Sequence, residues 1–191
     1  MLEKSFPERL RTERLILRRY RLEDSSGVLM LINQNREGLV REFAQMAALR
    51  TSEDVASFLS EKREQWNEGK TFCYGIWDDE QGSQVGQIQV KNIAWEIPAA
   101  ELGYFIDEAW QRRGYAAEAI RAVLEFAFQE LAFERIFVRI LPSNSASLRL
   151  AQKLGFLPEG LHRRAYRCGF GELHDVQYLG IIRDDYRTFH P

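Results

Sequence analysis

The residues best suited to hold an anion are Gln111-Arg112-Arg113-Gly114-Tyr115-Ala116. They lie between the end of a strand-like segment and the most regular helical pattern in the chain. A turn of small residues at such a junction points successive backbone N–H groups at one place. The start of the following helix adds partial positive charge there, an arrangement suited to a pyrophosphate. Gly114 permits close backbone approach and Ala116 keeps the next turn small. Arg112 and Arg113 add charge-assisted contacts. Neither a GxxxxGK(S/T) loop nor a GxGxxG fingerprint occurs, which sets aside the two commonest nucleotide-binding loops. Taken alone, the hexamer also fits a helix start with solvated arginines.

Other chemistry-bearing residues read more plainly. Cys73 falls in a strand-like segment and packs as a small hydrophobe. Cys168 sits in an Arg-rich turn without a neighbouring base, so neither thiol is read as a nucleophile. His162, His174 and His190 lack the spacing of a metal site, and no metal is expected. Trp66, Phe72, Trp77, Trp95, Phe126 and Phe128 fit a packed core, and Trp110 packs just ahead of the anion loop.

The elements that must position these residues follow from periodicity. Residues 12–20 alternate as a first strand. A helical stretch runs from Asp24 or Ser25 to Ala48, with a break near Glu37-Gly38. Thr51-Ser52-Glu53-Asp54 is a helix-start signal, and Gly69 ends that helix. Residues 72–77 and 85–95 form a hairpin across an acidic turn, and 100–106 is a third strand after Pro98. From Gly114 to Leu131, apolar residues recur at spacings of three and four, predicting one long helix. Residues 135–141 make a strand, 145–154 a short helix stopped by Gly155, and 156–167 and 176–182 two more strands. The long helix links strands 100–106 and 135–141, so these two run parallel. The fold class is mixed α/β, with a sheet of about seven strands.

Composition narrows the class. The 191 residues make one domain, with no linker or repeat dividing it. Lys and Arg number 26 against 28 Asp and Glu, a net charge of −2 that gives no bulk signature of a nucleic-acid binder. No apolar run approaches a membrane span or a signal peptide. Two cysteines are too few for a disulfide scaffold, and a reducing cytoplasm is the expected setting.

In this context the hexamer resembles motif A of the GNAT N-acetyltransferase superfamily, Q/R-x-x-G-x-G/A. Glu101–Ile106 (ELGYFI) is similar to the strand before that motif. Asn144-Ser145-Ala146-Ser147 and Lys153-Leu154-Gly155-Phe156 resemble the next motif, and Pro158-Glu159-Gly160 continues it. Arg11-Thr12-Glu13-Arg14-Leu15-Ile16-Leu17-Arg18 and His174-Asp175 are similar to the Rim-type branch, the ribosomal-protein N-terminal acetyltransferases. The matches run in order from about residue 10 to 183.

The resemblance implies acetyl-CoA as acyl donor and a GNAT-like central sheet whose two parallel strands splay apart. Backbone groups of Tyr104, Phe105 and Ile106 would bond the pantetheine arm in that V. Amides of Gln111 to Ala116 would hold the pyrophosphate, and Asn144 would hydrogen-bond the cofactor, although a turn or helix cap also explains Asn144. The implied chemistry is direct amine attack on a thioester, which requires a neutral amine. Glu101 is the candidate base on its strand; a solvent-facing strand glutamate is the alternative. Ser147 or Tyr166 would protonate the leaving thiolate, and a first-turn helix serine is the plain reading of Ser147. Where Rim-type enzymes carry a glutamate this chain has Tyr166. The expected acceptor is a protein N-terminal α-amine, such as that of a ribosomal protein. A small amine (polyamine, amino acid or antibiotic) is the alternative acceptor, and a non-catalytic acyl-CoA sensor the alternative class. No nucleic acid or membrane partner is expected, and a homodimer is left open.

Overall fold

The computed structural model describes residues 6–189. Eight strands form one sheet in the order β1-β2-β3-β4-β5-β6-β8-β7. They are β1 (Arg9–Arg11), β2 (Leu15–Arg19), β3 (Phe72–Asp78), β4 (Gln84–Ala94), β5 (Ala99–Ile106), β6 (Arg135–Ile140), β7 (Leu157–Arg167) and β8 (Leu173–Ile182). The helices are α1 (Ser25–Gln34), α2 (Arg36–Glu42), α3 (Ala44–Ala47), α4 (Ser52–Asn67), α5 (Tyr115–Glu125), α6 (Ser145–Lys153) and α7 (Arg183–Phe189). No helix among the described residues is long and apolar enough to cross a membrane.

Every neighbouring pair of strands is antiparallel except β5 and β6, which are parallel as the crossover through α5 requires. These two strands pair only at Ala99↔Arg135, Ala100↔Ile136 and Glu101↔Phe137. Beyond Glu101 they diverge, so the β6-facing backbone edge of β5 from Leu102 onward has no strand partner. On its other side β5 stays paired with β4 as far as Gly86↔Ile106.

Two hydrophobic clusters cover the sheet. Along β3, Phe72, Tyr74 and Ile76 join one cluster while Cys73 and Trp77 join the other. The period of two places the clusters on opposite faces. The helix α5 packs on the first through Ala119, Ile120, Val123 and Leu124, all buried. Each large side chain among them contributes ~1.5–3 kcal/mol by burial. Val28 and Ile32 of α1 and Val55 and Leu59 of α4 cover the second face. Thr51 and Asp54 form the capping box of α4: Thr51 Oγ1 accepts from the Asp54 amide (3.1 Å), and Asp54 accepts from the Thr51 amide (3.0 Å).

The structure departs from the sequence expectations at element ends. The sheet has eight strands, one more than the seven read from periodicity, because residues 9–11 form β1. Thr12 closes the turn between β1 and β2, its Oγ1 accepting from the Leu15 amide (2.9 Å), so β2 begins at Leu15. The first helical stretch breaks at Asn35 and Phe43 rather than near Glu37-Gly38. Asn35 uses its side chain twice, donating to the Leu31 carbonyl (2.8 Å) and accepting from the Glu108 amide (2.9 Å). The long helix widens into a π-turn over Phe126–Glu130. Strand β8 starts at Leu173, three residues before the expected Val176, and α7 follows it as an additional short helix.

Candidate active site

The loop between β5 and α5 is a strained, braced cradle. Arg112 (φ 61°) and Gly114 (φ 84°) both adopt left-handed backbone, the second as the residue preceding α5. Glycine suits that position because other residues meet their own carbonyl there. A Cβ on Gly114 would lie 3.3 Å from Arg14 Nη2. Arg14 itself ties the loop down: Nη1 donates to the Arg113 carbonyl (3.0 Å) and Nε to Glu118 (2.8 Å). Glu118, in the first turn of α5, also accepts from the Arg14 amide (2.9 Å) and from Thr12 Oγ1 (2.5 Å). Burial pushes its carboxyl up, but these hydrogen bonds outweigh that and hold it below the usual range. The start of β2 is thereby fixed to the anion loop, leaving the first-turn amides of α5 directed outward.

The predicted loop residues divide by role. Gln111, Arg112, Gly114, Tyr115 and Ala116 line a cleft of about 440 Å³; Arg113 does not. Its guanidinium turns back to the Ala109 carbonyl (3.1 Å) and lies 4.7 Å over the Trp110 ring. Gln111 Nε2 donates to the Ile106 carbonyl (3.0 Å), which occupies one of the backbone groups expected to face a ligand. The Tyr115 side chain is buried, its hydroxyl donating to Asp78 (2.6 Å), so this residue serves chiefly as an anchor. That bond holds the Asp78 carboxyl below the usual range and raises the tyrosine. Trp110 stacks on Tyr115 with centroids 5.8 Å apart.

The cleft runs from this loop along the open edge of β5 to α2 and α6. A second cleft of about 110 Å³ continues from there, lined by Lys91, Glu101, Arg139 and Tyr166 among others. Five residues line both: Glu42, Phe43, Tyr104, Asn144 and Ser147. The Tyr104 hydroxyl is buried there without a hydrogen-bond partner, and Ser147 lies close by. Burial pushes Tyr104 up to about 12. Asn144 uses both ends of its amide. Its Oδ1 caps α6 by accepting from the Ser147 amide (3.0 Å), and its Nδ2 donates to both oxygens of Glu42 (2.9 and 2.7 Å). The capping explanation of Asn144 is therefore met in full, and its donor group bridges α6 to α2.

Glu101 is buried in the second cleft and fully engaged. Its Oε1 lies 3.2 Å from Lys91 Nζ and 3.0 Å from Arg139 Nε, and Oε2 accepts from Asn92 (2.7 Å). A solvent-facing strand glutamate is excluded by its 4% exposure. A free base is a different arrangement from this doubly ion-paired carboxylate. Tyr166 Oη accepts from the Ala44 amide (3.2 Å), and burial raises its hydroxyl above the usual range. Nearby, the Gly169 amide donates to the Val40 carbonyl (2.7 Å). A Cβ on Gly169 would fall 2.9 Å from Val40 Cγ1, so glycine sets how closely the β7–β8 turn approaches α2. The segment from Asn33 to Gly69 and the β7–β8 hairpin thus wall the second cleft together.

Sequence reasoning missed Glu42, Phe43 and the Tyr104 side chain. Glu42 lies on a short helix of mixed charge, and its partner Asn144 lies 102 residues away. The thiol of Cys73 is buried and pushed up to about 12. Among the described residues, Cys168, Glu172 and His174 bring one potential metal-ligand atom each within 4.8 Å of one another, at the β7–β8 turn.

The splayed parallel pair, the left-handed glycine before α5 and the joined clefts together make one long site at the splay. A family model described as acetyltransferase (GNAT) domain matches residues 14–157. The chain belongs to that family and is a GNAT N-acetyltransferase. It is 28% identical over 179 residues to the probable N-acetyltransferase YjcK of Bacillus subtilis, covering 92% of this chain and 98% of that one. Among solved structures, the microcin C7 self-immunity acetyltransferase MccE, in complex with acetyl-CoA and AMP, superposes with a TM-score of 0.85 at 20% identity. That match covers 94% of this chain and 98% of the other. The ribosomal L7/L12 alpha-N-protein acetyltransferase RimL, in complex with coenzyme A, gives 0.84 at 22% identity, covering 91% and 97%.

Proposed function

We propose that this enzyme transfers the acetyl group of acetyl-CoA to the N-terminal α-amine of a protein by direct attack. The observation that carries the reading is the meeting of two clefts at the β5–β6 splay. One starts at the anion loop and the other opens toward α2 and the β7–β8 hairpin. The donor residues fit acetyl-CoA on two counts. Gly114 leaves open a cradle beside the first-turn amides, and the orphaned Tyr104 hydroxyl offers a buried donor at the far end. Acetyl-CoA supplies a thioester, whose carbonyl is open to an amine.

Gln111, Arg112, Gly114, Tyr115 and Ala116 would hold the pyrophosphate through backbone amides, with Arg112 adding charge. Arg113 would contribute its amide only. The backbone of Tyr104 and Phe105 would bond the pantetheine arm, Ile106 having its carbonyl in use. Ser147, beside Tyr104 and lining both clefts, would hydrogen-bond the sulfur and supply its proton; Tyr166 lines the second cleft alone.

The acceptor preference rests on charge. A polyamine calls for an acidic cleft, and here Lys91 and Arg139 neutralise Glu101. A peptide N-terminus carries one amine, which the second cleft would admit end-on. Ribosomal-protein and self-immunity enzymes share this fold equally well, so the acceptor is decided by assay. Mass spectrometry should follow acetyl transfer to peptides with free N-termini, N-blocked lysine peptides, polyamines and amino acids. Modification of free N-termini alone is expected. Modification of small amines alone would move the acceptor to that class, and acetyl-CoA binding without transfer to any of them would favour a sensor.

A further inference from the structure

We propose that Glu42 is the carboxylate that meets the acceptor ammonium and takes its proton. This rests on the amine-acetylation reading above and adds to it the group that makes the amine reactive. Transfer must occur where donor and acceptor clefts join, and the residues lining both are Glu42, Phe43, Tyr104, Asn144 and Ser147. Glu42 is the one carboxylate of the five.

Its surroundings suit a base. It is the last residue of α2; the residue is exposed as a whole, while its carboxyl end is crowded among the groups lining both clefts. Asn144 Nδ2 orients it through both oxygens, and among the described residues no Lys or Arg pairs with it. The crowding holds its carboxyl above the usual range, with Asn144 pulling part of the way back. Glu101 has the opposite environment, with two cations and an amide on its oxygens. The groups facing Glu42 are the hydroxyls of Tyr104 on β5 and Tyr166 on β7, with Lys91, Arg139 and Glu101 deeper in the second cleft. An incoming ammonium is thus the cation this carboxylate lacks.

The step balances as follows. Glu42 removes one proton from the ammonium. The freed lone pair on nitrogen forms the C–N bond at the thioester carbonyl as the C–S bond breaks, and that bonding pair leaves on sulfur. A second nitrogen proton ends on sulfur through the Ser147 hydroxyl, and Glu42 passes its proton to water.

The test is the pH dependence of kcat/KM with a peptide acceptor, for wild type, E42Q, E42D and E101Q. Acetyl-CoA affinity is measured by calorimetry on each. In wild type the acid limb should fall in the raised carboxylate range. In E42Q only amine already neutral in solution can react, so the limb should move to the α-amine value near ~8. The loss at pH 7 should be about 10²-fold, in keeping with general-base catalysis, and should shrink by pH 9. E42D should keep the wild-type limb, and acetyl-CoA affinity should be unchanged throughout. Gln at position 42 can still accept from Asn144, so a bridge that only positions α2 would leave the limb where it is. An E42Q enzyme with the wild-type rate and limb overturns the inference alone, as does a limb that moves in E101Q instead. A wild-type enzyme that acetylates no amine overturns the acceptor reading and this inference together.

Discussion

Gly114→Ala tests whether the anion loop depends on its left-handed cap. The native φ of 84° costs an L-residue ~1–2 kcal/mol over glycine. The added Cβ meets only the far end of Arg14, at 3.3 Å, so steric repulsion contributes little beyond this. The strain must appear in one of two places. If the loop holds its shape, the free protein is destabilised by ~1–2 kcal/mol, which for a chain of this length lowers Tm by about 2–8 °C. If the loop relaxes instead, the free protein keeps its Tm, but acetyl-CoA must restore the strained shape. Affinity then falls about 5–30-fold, since 1.4 kcal/mol is tenfold. Calorimetric Kd and melting with and without saturating acetyl-CoA separate the two, and the losses should sum to the same ~1–2 kcal/mol. Wild-type Tm and wild-type Kd together in this variant would refute both the conformational reasoning and the pyrophosphate assignment.

Three further outcomes are expected. Tyr115→Phe should cost about 1.5–3 kcal/mol by denaturant unfolding at pH 7, because buried Asp78 loses a charge-assisted hydrogen bond. Asp78 is held below its unfolded value, so its stabilisation is complete above about pH 4–5 and fades as pH drops through the lower folded value. The difference between wild type and variant should therefore narrow on acidification, and a constant difference would detach Tyr115 from Asp78 ionisation. Glu118→Gln should destabilise by about 1–2 kcal/mol, as it weakens the contacts with Thr12 and Arg14, and an unchanged midpoint would count against that brace. Cys73, buried with its thiol near 12, should resist iodoacetamide at pH 8 in the folded protein and react on unfolding, read as a mass tag.

Much of the fold was legible because its signals are local. The apolar period of α5 and the Thr51-Asp54 cap of α4 each lie within a few residues, and Gly114 marks the turn before α5 unaided. The crossover rule then set β5 and β6 parallel. What was missed depends on distance. Residues 9–11 pair as a strand only because Thr12 closes a turn, and three residues carry no periodicity of their own. Likewise, Glu101 reads from its strand as a carboxylate facing one side of the sheet. Its partner Arg139 comes from β6, which the sequence could align only coarsely. Glu42 and Asn144 share no local pattern at all, and the chain brings them together only once α2 and α6 flank the same splay. The site was thus legible where a helix start builds it and obscure where separate helices close it.

The brief contact between β5 and β6 also bears on how the protein breathes. With three register pairs at one end of the splay, the sheet is two antiparallel ribbons joined at a seam. One ribbon, β1 to β5, is stitched mostly between strands near in sequence; the other, β6 with β8 and β7, owes its closest pairing to a single hairpin. The seam rests on a short run of backbone pairing, whereas within each ribbon the long strands are paired along most of their length. The seam is accordingly the interior part of the sheet that opens most readily in the native state. Amide exchange should be fastest along Leu102–Ile106 and the facing end of β6. A ligand lying in the gap would slow it on both ribbons at once, acting as the rivet that makes two cooperative units unfold as one.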